Sequence, residues 1–117
     1  MSISSYITSH SFEDRKAESD RVRSRYPDRI PVICELVSKG NLPPLDKNKY
    51  LVPGDLTVGQ FAYIIRKRIH LKPDQAIFLL VNGKFPSTST EMSLLYSTDG
   101  SDDGYLYVHV AGENAFG

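Results

Sequence analysis

Cys34, His70 and Asp74 supply the side-chain types of a cysteine hydrolase, in which a thiol is activated by a base and the base is oriented by a carboxylate. Their surroundings argue against that use. Cys34 sits mid-run in Ile30-Pro31-Val32-Ile33-Cys34-Glu35-Leu36-Val37, among aliphatics, where a thiol is inert and its pKa rises. His10 and His109 have no carboxylate at a spacing that would make either a base, and Gly54 and Gly59 flank a strand-to-helix turn instead of cradling phosphate. The single cysteine cannot close an internal disulfide, and no Cys/His cluster has zinc-ligand spacing. The run Asp99 to Gly104 lacks the ligand pattern of a calcium loop and reads as solvated. No catalysis, metal or cofactor is expected. The remaining chemistry is at the far end, where Phe116-Gly117 closes a polar tail running from Ala111 to Ala115. A terminal glycine has no Cβ to obstruct attack at its carbonyl, and its backbone enters conformations closed to other residues. Gly117 therefore reads as an acyl group to be handed to an amine, which makes the protein a substrate.

That tail needs a body to carry it. At 117 residues the chain is one domain, and an apolar fraction of 40% rich in Val, Ile, Leu, Tyr and Phe favours a folded core. Net charge is zero but unevenly spread: residues 1–72 hold thirteen Lys/Arg against eight Asp/Glu, and residues 73–117 hold one against six. Such polarity favours oriented docking on partners over nucleic-acid binding. The basic tract Arg66-Lys67-Arg68 with Lys72 complements a helix end and reads as no nucleic-acid patch. No leader-like N-terminus and no apolar run near the roughly 18 residues of a spanning helix occur, so a cytoplasmic location is expected.

The elements follow from periodicity and punctuation. Residues 1–11 predict a brief, loosely docked helix or a flexible arm. Ser11 caps a helix over 12–25, with Glu13 and Asp14 in its first turn and arginines near its end. Its apolar content, Phe12, Ala17 and Val22, is thin. Tyr26-Pro27 stops it. Strands are predicted at Ile30–Val37 and Lys49–Val52, separated by a turn at Gly40–Pro44. Thr57 and Gln60 form a capping box for a helix over 57–69, whose Val58, Phe61, Ala62, Ile65 and Ile69 make a buried face. A strand at Ala76–Val81 runs into an Asn82-Gly83 turn, a short helix covers Ser89–Tyr96, and the last strand is Tyr105–Val110. The result is an α+β fold with a helical extension (1–26), a β-grasp core (27–111) and a flexible tail (112–117).

Phe12-Glu13-Asp14-Arg15, Tyr26-Pro27-Asp28-Arg29-Ile30-Pro31-Val32-Ile33, Lys49-Tyr50-Leu51-Val52-Pro53, Asp55-Leu56-Thr57-Val58-Gly59-Gln60-Phe61, Ile65-Arg66-Lys67-Arg68-Ile69 and Phe116-Gly117 occur in that order. Together they resemble the ubiquitin-like autophagy modifiers, nearest the branch of the gamma-aminobutyrate receptor-associated proteins. The resemblance implies a ubiquitin-like β-grasp with two additional N-terminal helices. It implies that Gly117, whether encoded last or exposed by a processing cysteine protease that also deconjugates, is passed through activating and conjugating enzymes to phosphatidylethanolamine. The lipidated form would reside on the autophagosome membrane. Joining to a protein lysine, or service as a non-covalent adaptor, are the alternatives within the same fold.

The resemblance also implies capture of aromatic-x-x-aliphatic peptides of cargo receptors by β-augmentation along Lys49–Val52. Carried over by position, the aromatic pocket would comprise Glu18, Val22, Pro31, Lys49, Leu51 and Tyr105. The aliphatic pocket would comprise Tyr26, Val52, Pro53, Leu56, Phe61 and Ile64. Tyr50 belongs to the edge strand, and Arg29, Lys47 and Arg68 would attract acidic residues of the peptide. Tyr50→Ala with Leu51→Ala is expected to abolish peptide binding and spare the fold. Three departures from the family stand out: the first eleven residues lack its basic and aromatic character, Gly104 replaces an apolar residue and is expected to loosen the aromatic pocket, and Cys34 replaces an aliphatic as a packing substitute.

Overall fold

The computed structural model describes residues 5–37 and 42–113. Gly117 and part of the Gly40–Pro44 turn therefore lie outside the described residues. Four strands form one mixed sheet in the order β2-β1-β4-β3, comprising β1 (Arg29–Leu36), β2 (Lys49–Pro53), β3 (Ile77–Leu80) and β4 (Leu106–Gly112). β1 pairs antiparallel with β2 and parallel with β4, and β3 pairs antiparallel with β4. A parallel pair cannot be joined by a tight turn, so the chain makes its longest excursion between β1 and β4. That is the expected β-grasp.

Strand alternation divides the sheet into two faces. Ile30, Val32, Cys34, Tyr50, Val52, Leu106, Val108 and Val110 share one core with Val58, Phe61 and Ile65 of α3 (Val58–Arg68). The capping box of α3 is present: Gln60 N–H donates to Thr57 Oγ1 at 3.2 Å, and Thr57 N–H donates to Gln60 Oε1 at 2.9 Å. On the opposite face Ile33 and Tyr105 meet Tyr6, with Tyr107 packed against them.

Boundaries shift where backbone demand overrides local pattern. The short helix predicted at Ser89–Tyr96 is α4 (Met92–Asp99). Residues 88–90 are instead drawn beside the start of α3, where the carbonyls of Thr90 and Thr88 accept from Val58 N–H (2.8 Å) and Gly59 N–H (2.9 Å). These are donors that a helix N-terminus leaves unpaired. β4 runs on to Gly112, pairing with Ile77, so Ala111 is a buried strand residue and not the start of the tail. The Asn82-Gly83 turn has the expected positive φ at both positions (52° and 76°), closed by two Val81–Lys84 bonds.

The N-terminal helices are α1 (Ser5–Ser9) and α2 (Phe12–Arg25). α1 is not loosely docked. Glu35 accepts from Ser5 Oγ (2.6 Å) and Tyr6 N–H (3.1 Å), and Tyr6 is 3% exposed. α2 is capped by Ser11, which accepts from Asp14 N–H, but its buried residue is Ser19 and its Phe12 stays exposed.

Candidate functional site

β2 lies at the margin of the sheet, with β1 on one side and no strand on the other among the described residues. Its outward backbone groups face no strand there and can pair with an added one. The register fixes what flanks that margin. Pro31 pairs with Leu51 and Ile33 with Lys49, which places these side chains together on the face covered by α1 and α2. Ile30 pairs with Val52 and Val32 with Tyr50, on the face covered by α3. The two candidate pockets thus occupy opposite faces of one strand.

On the outer face the structure brings Glu18, Lys49 and Tyr105 together around Tyr6. Lys49 Nζ is 2.7 Å from Glu18 Oε1 and 5.1 Å from the centre of the Tyr6 ring. Tyr6 donates from its hydroxyl to Glu18 Oε2 at 3.3 Å, and its ring meets Tyr105 edge-on at 5.7 Å. Burial pulls the Glu18 carboxyl up and the Lys49 ammonium down, but their mutual bond reverses both, leaving Glu18 below and Lys49 above the ordinary value. The candidate pocket residues therefore include a neutralised ion pair, partly open to water. Pro31 is buried beneath it, and Val22 and Leu51 are half-buried.

On the inner face Val52 and Phe61 are closed into the core, while Leu56 and Ile64 are half-buried against it. Pro53 and Tyr26 are exposed, with Tyr26 just ahead of Arg29, the register partner of Pro53. Val52 and Phe61 are closed off, so the members of this candidate set that a ligand could reach are Tyr26, Pro53, Leu56 and Ile64, of which Pro53 alternates onto the face of Leu51. Tyr50 needs correcting. Its side chain is 7% exposed and stands edge-on to Phe61 at 5.5 Å, so Tyr50→Ala would open the core as well as disturb the edge. Leu51 alone tests the groove.

The cations lie along the same margin. Arg29 donates to the Leu51 carbonyl at 3.5 Å, Lys47 Nζ stands 4.9 Å from the Tyr50 ring centre, and Arg68 pairs with Asp46 at 3.1 Å. The Arg68–Asp46 pair is exposed and parts at little cost. Cys34 is fully buried, and burial pushes its thiol up to about 12, in keeping with an inert packing residue.

The sequence profile described as "Autophagy protein Atg8 ubiquitin like" matches residues 14–117. The chain belongs to the Atg8 family. Autophagy-related protein 8 of Mycosarcoma maydis is 55% identical over 114 residues, covering 97% of each chain. The crystal structure of Trypanosoma brucei ATG8 superposes with a TM-score of 0.93 at 43% identity, covering 99% of this chain and 100% of that one. Plasmodium falciparum Atg8, solved in complex with a Plasmodium falciparum Atg3 peptide, superposes with a TM-score of 0.85 at 36% identity, covering 94% and 99%. The fold is the ubiquitin-like Atg8 fold, and by family this is a ubiquitin-like autophagy protein.

The residues that hold α2 of this Atg8-family chain over the pocket were not legible. Asp103, in the run read as a solvated loop, is fully buried. Its carboxylate accepts from Arg15 (2.7 Å), the Tyr107 hydroxyl (2.6 Å) and Tyr105 N–H (2.9 Å), and its carbonyl accepts from Ser19 Oγ. Gly104 does not loosen the pocket. Its φ is +91°, and a Cβ there would collide with Ser19 Oγ, so the glycine lets α2 approach closely. The one signal in the sequence was Arg15, a cation on a helix with too little apolar surface to dock by itself.

Proposed function

We propose that this chain is a ubiquitin-like modifier conjugated through Gly117 to phosphatidylethanolamine on autophagic membranes, where a two-pocket groove recruits cargo receptors and autophagy factors. The observation that carries the groove is the free β2 margin with one pocket on each face. Side chains of a strand added there alternate between faces, so residues three apart point to opposite sides. Aromatic-x-x-aliphatic spacing meets that requirement: the aromatic enters beside Glu18, Lys49 and Tyr105, and the aliphatic enters beside Tyr26, Pro53, Leu56 and Ile64. Arg29, Lys47 and Arg68 speed encounter with acidic flanks. The Atg3 peptide bound to Plasmodium falciparum Atg8 supports a conjugating enzyme among the partners.

Family membership, over residues that include Phe116-Gly117, supports the conjugation. Activation by ATP makes the glycine carboxylate an acyl donor; the thioester passes from activating to conjugating enzyme, and the lipid amine displaces the thiol. No helix among the described residues is long and apolar enough to cross a membrane. Two acyl chains, at about 0.8 kcal/mol per buried CH₂, anchor the domain instead. The protein is cytoplasmic until so attached, and a cysteine protease would process and release it.

Reconstitution tests this. With activating and conjugating enzymes, ATP and phosphatidylethanolamine liposomes, the chain shifts on a gel and floats with the membrane, and the variant lacking Gly117 does neither. A Gly117-dependent product on protein lysines with no flotation would overturn lipid attachment. Leu51→Arg, a half-buried position, is expected to keep conjugation chemistry and lose peptide affinity.

A further inference from the structure

The sheet has a second margin, β3, at the end opposite β2. Between β3 and α3 lies a groove of about 390 Å³ lined by Val58, Ala62, Ile77, Phe78, Leu79 and Phe85. The rings of Phe78 and Phe85 stand edge-on, 6.3 Å apart, and are 39% and 58% exposed. Large apolar side chains that open to water beside a groove mark a docking surface. No charged residue lines it, so its occupant is apolar.

The chain itself delivers such an occupant. β4 ends at Gly112, the register partner of Ile77, and Glu113 Oε1 accepts from Ala76 N–H at 3.1 Å. The backbone therefore leaves the sheet beside the first strand residue that lines the groove. Asn114-Ala115-Phe116-Gly117, outside the described residues, holds one large apolar side chain, Phe116. Phe116 follows Glu113 by three residues, a reach of about 10 Å. The part of β3 that lines the groove, Ile77 to Leu79, spans about 7 Å. Asn114 stands where the chain has to double back, and asparagine tolerates the left-handed conformation of tight turns.

We propose that the tail folds back on its own domain, with the Phe116 ring seated against Phe78 and Phe85 in the groove between α3 and β3. A third ring there can meet both others edge-on, an arrangement that aromatic groups favour. Gly117 is then held against the body of the protein, at the margin opposite β2. An enzyme that takes up the terminus must first lift Phe116 out. Burial of one ring is opposed by the ordering of four residues, so docked and free tails lie close in free energy and release is easy. This docking requires neither lipid attachment nor peptide capture, and stands or falls apart from them.

The test is NMR of the isotope-labelled full chain. Nuclear Overhauser contacts from the Phe116 ring to the methyl groups of Ala62 and Ile77 are expected, unchanged on dilution. Phe116→Ala should shift the amides of Ile77 to Leu79 and leave those of Lys49 to Val52 in place. Absence of the contacts overturns the proposal. So does their loss on dilution, which would mean that a second copy supplies the ring. Phe85→Ser alters an exposed side chain and is expected to keep the fold. A carboxypeptidase should nevertheless trim this variant beyond Glu113 about threefold faster than wild type. Equal trimming rates would show that the groove does not hold the tail, and the proposal fails.

Discussion

The two faces of the sheet are covered by helices that hold on in different ways. α3 docks through Val58, Phe61 and Ile65, all buried, against Val32, Val52 and Val108. α2 docks through Ser19, Arg15 and the fully buried Asp103, with its exposed Phe12 contributing little. Apolar burial is non-directional and tolerates repacking. A buried carboxylate is held by a few directed bonds, and removing one partner leaves a charge uncompensated. The inner helix is therefore part of the fold's cohesion, whereas the outer one is a latch over the opposite face of the sheet.

The largest effect should fall on the inner face. Phe61→Ala is expected to cost about 3–5 kcal/mol in denaturant unfolding, with all amides losing protection together. If α2 alone lost protection, α3 would not be the unifying element. Asp103→Ala should cost about 3 kcal/mol, at the low end because Arg15 can reach water. Its loss should be confined by hydrogen exchange to residues 5–25, with β1 and β4 still protected; uniform loss across the domain would erase the distinction between core and latch.

Gly104→Ala should cost about 1–3 kcal/mol, since it adds both strain at φ +91° and a collision with Ser19. Combining it with Ser19→Gly removes the collision and leaves the strain, so the double variant should recover part of the loss. Strict additivity would show that contact between α2 and Gly104 is not what matters. Titration reports on both faces at once. Burial raises the thiol of Cys34, to about 12, and the hydroxyls of Tyr50, Tyr105 and Tyr107. The folded state thus holds protons that the unfolded chain releases, so stability is full below about pH 8 and declines as pH rises, by about 2–3 kcal/mol at pH 10. A flat unfolding midpoint between pH 8 and 10.5 would contradict the burial of these groups.

How much could be read in advance differs between the faces for the same reason. The stripe Val58, Phe61, Ile65 and the cap Thr57 with Gln60 are local patterns, and the structure realises them with shifts of one residue. The helix α4 moved by three residues because Thr88 and Thr90 answer donors on α3, a long-range demand with no local signature. Asp103 sits in Asp102-Asp103-Gly104, which looks like any solvated acidic loop. Tyr50 and Leu51 are adjacent in the edge strand, yet only the face assignment separates a core residue from a groove residue.

Composition, periodicity and turn residues thus determined the order of elements, the capped α3, the turn at Asn82-Gly83 and an inert Cys34, because each depends on neighbours within one or two turns of chain. Tertiary structure alone decided which margin of the sheet stays open, that Lys49 and Leu51 fall on one face of β2 and Tyr50 and Val52 on the other, and that α2 is held by Asp103. Those properties arise from register and from burial of a charge by partners 88 residues away, as Arg15 is from Asp103. A chain read one window at a time does not contain that information.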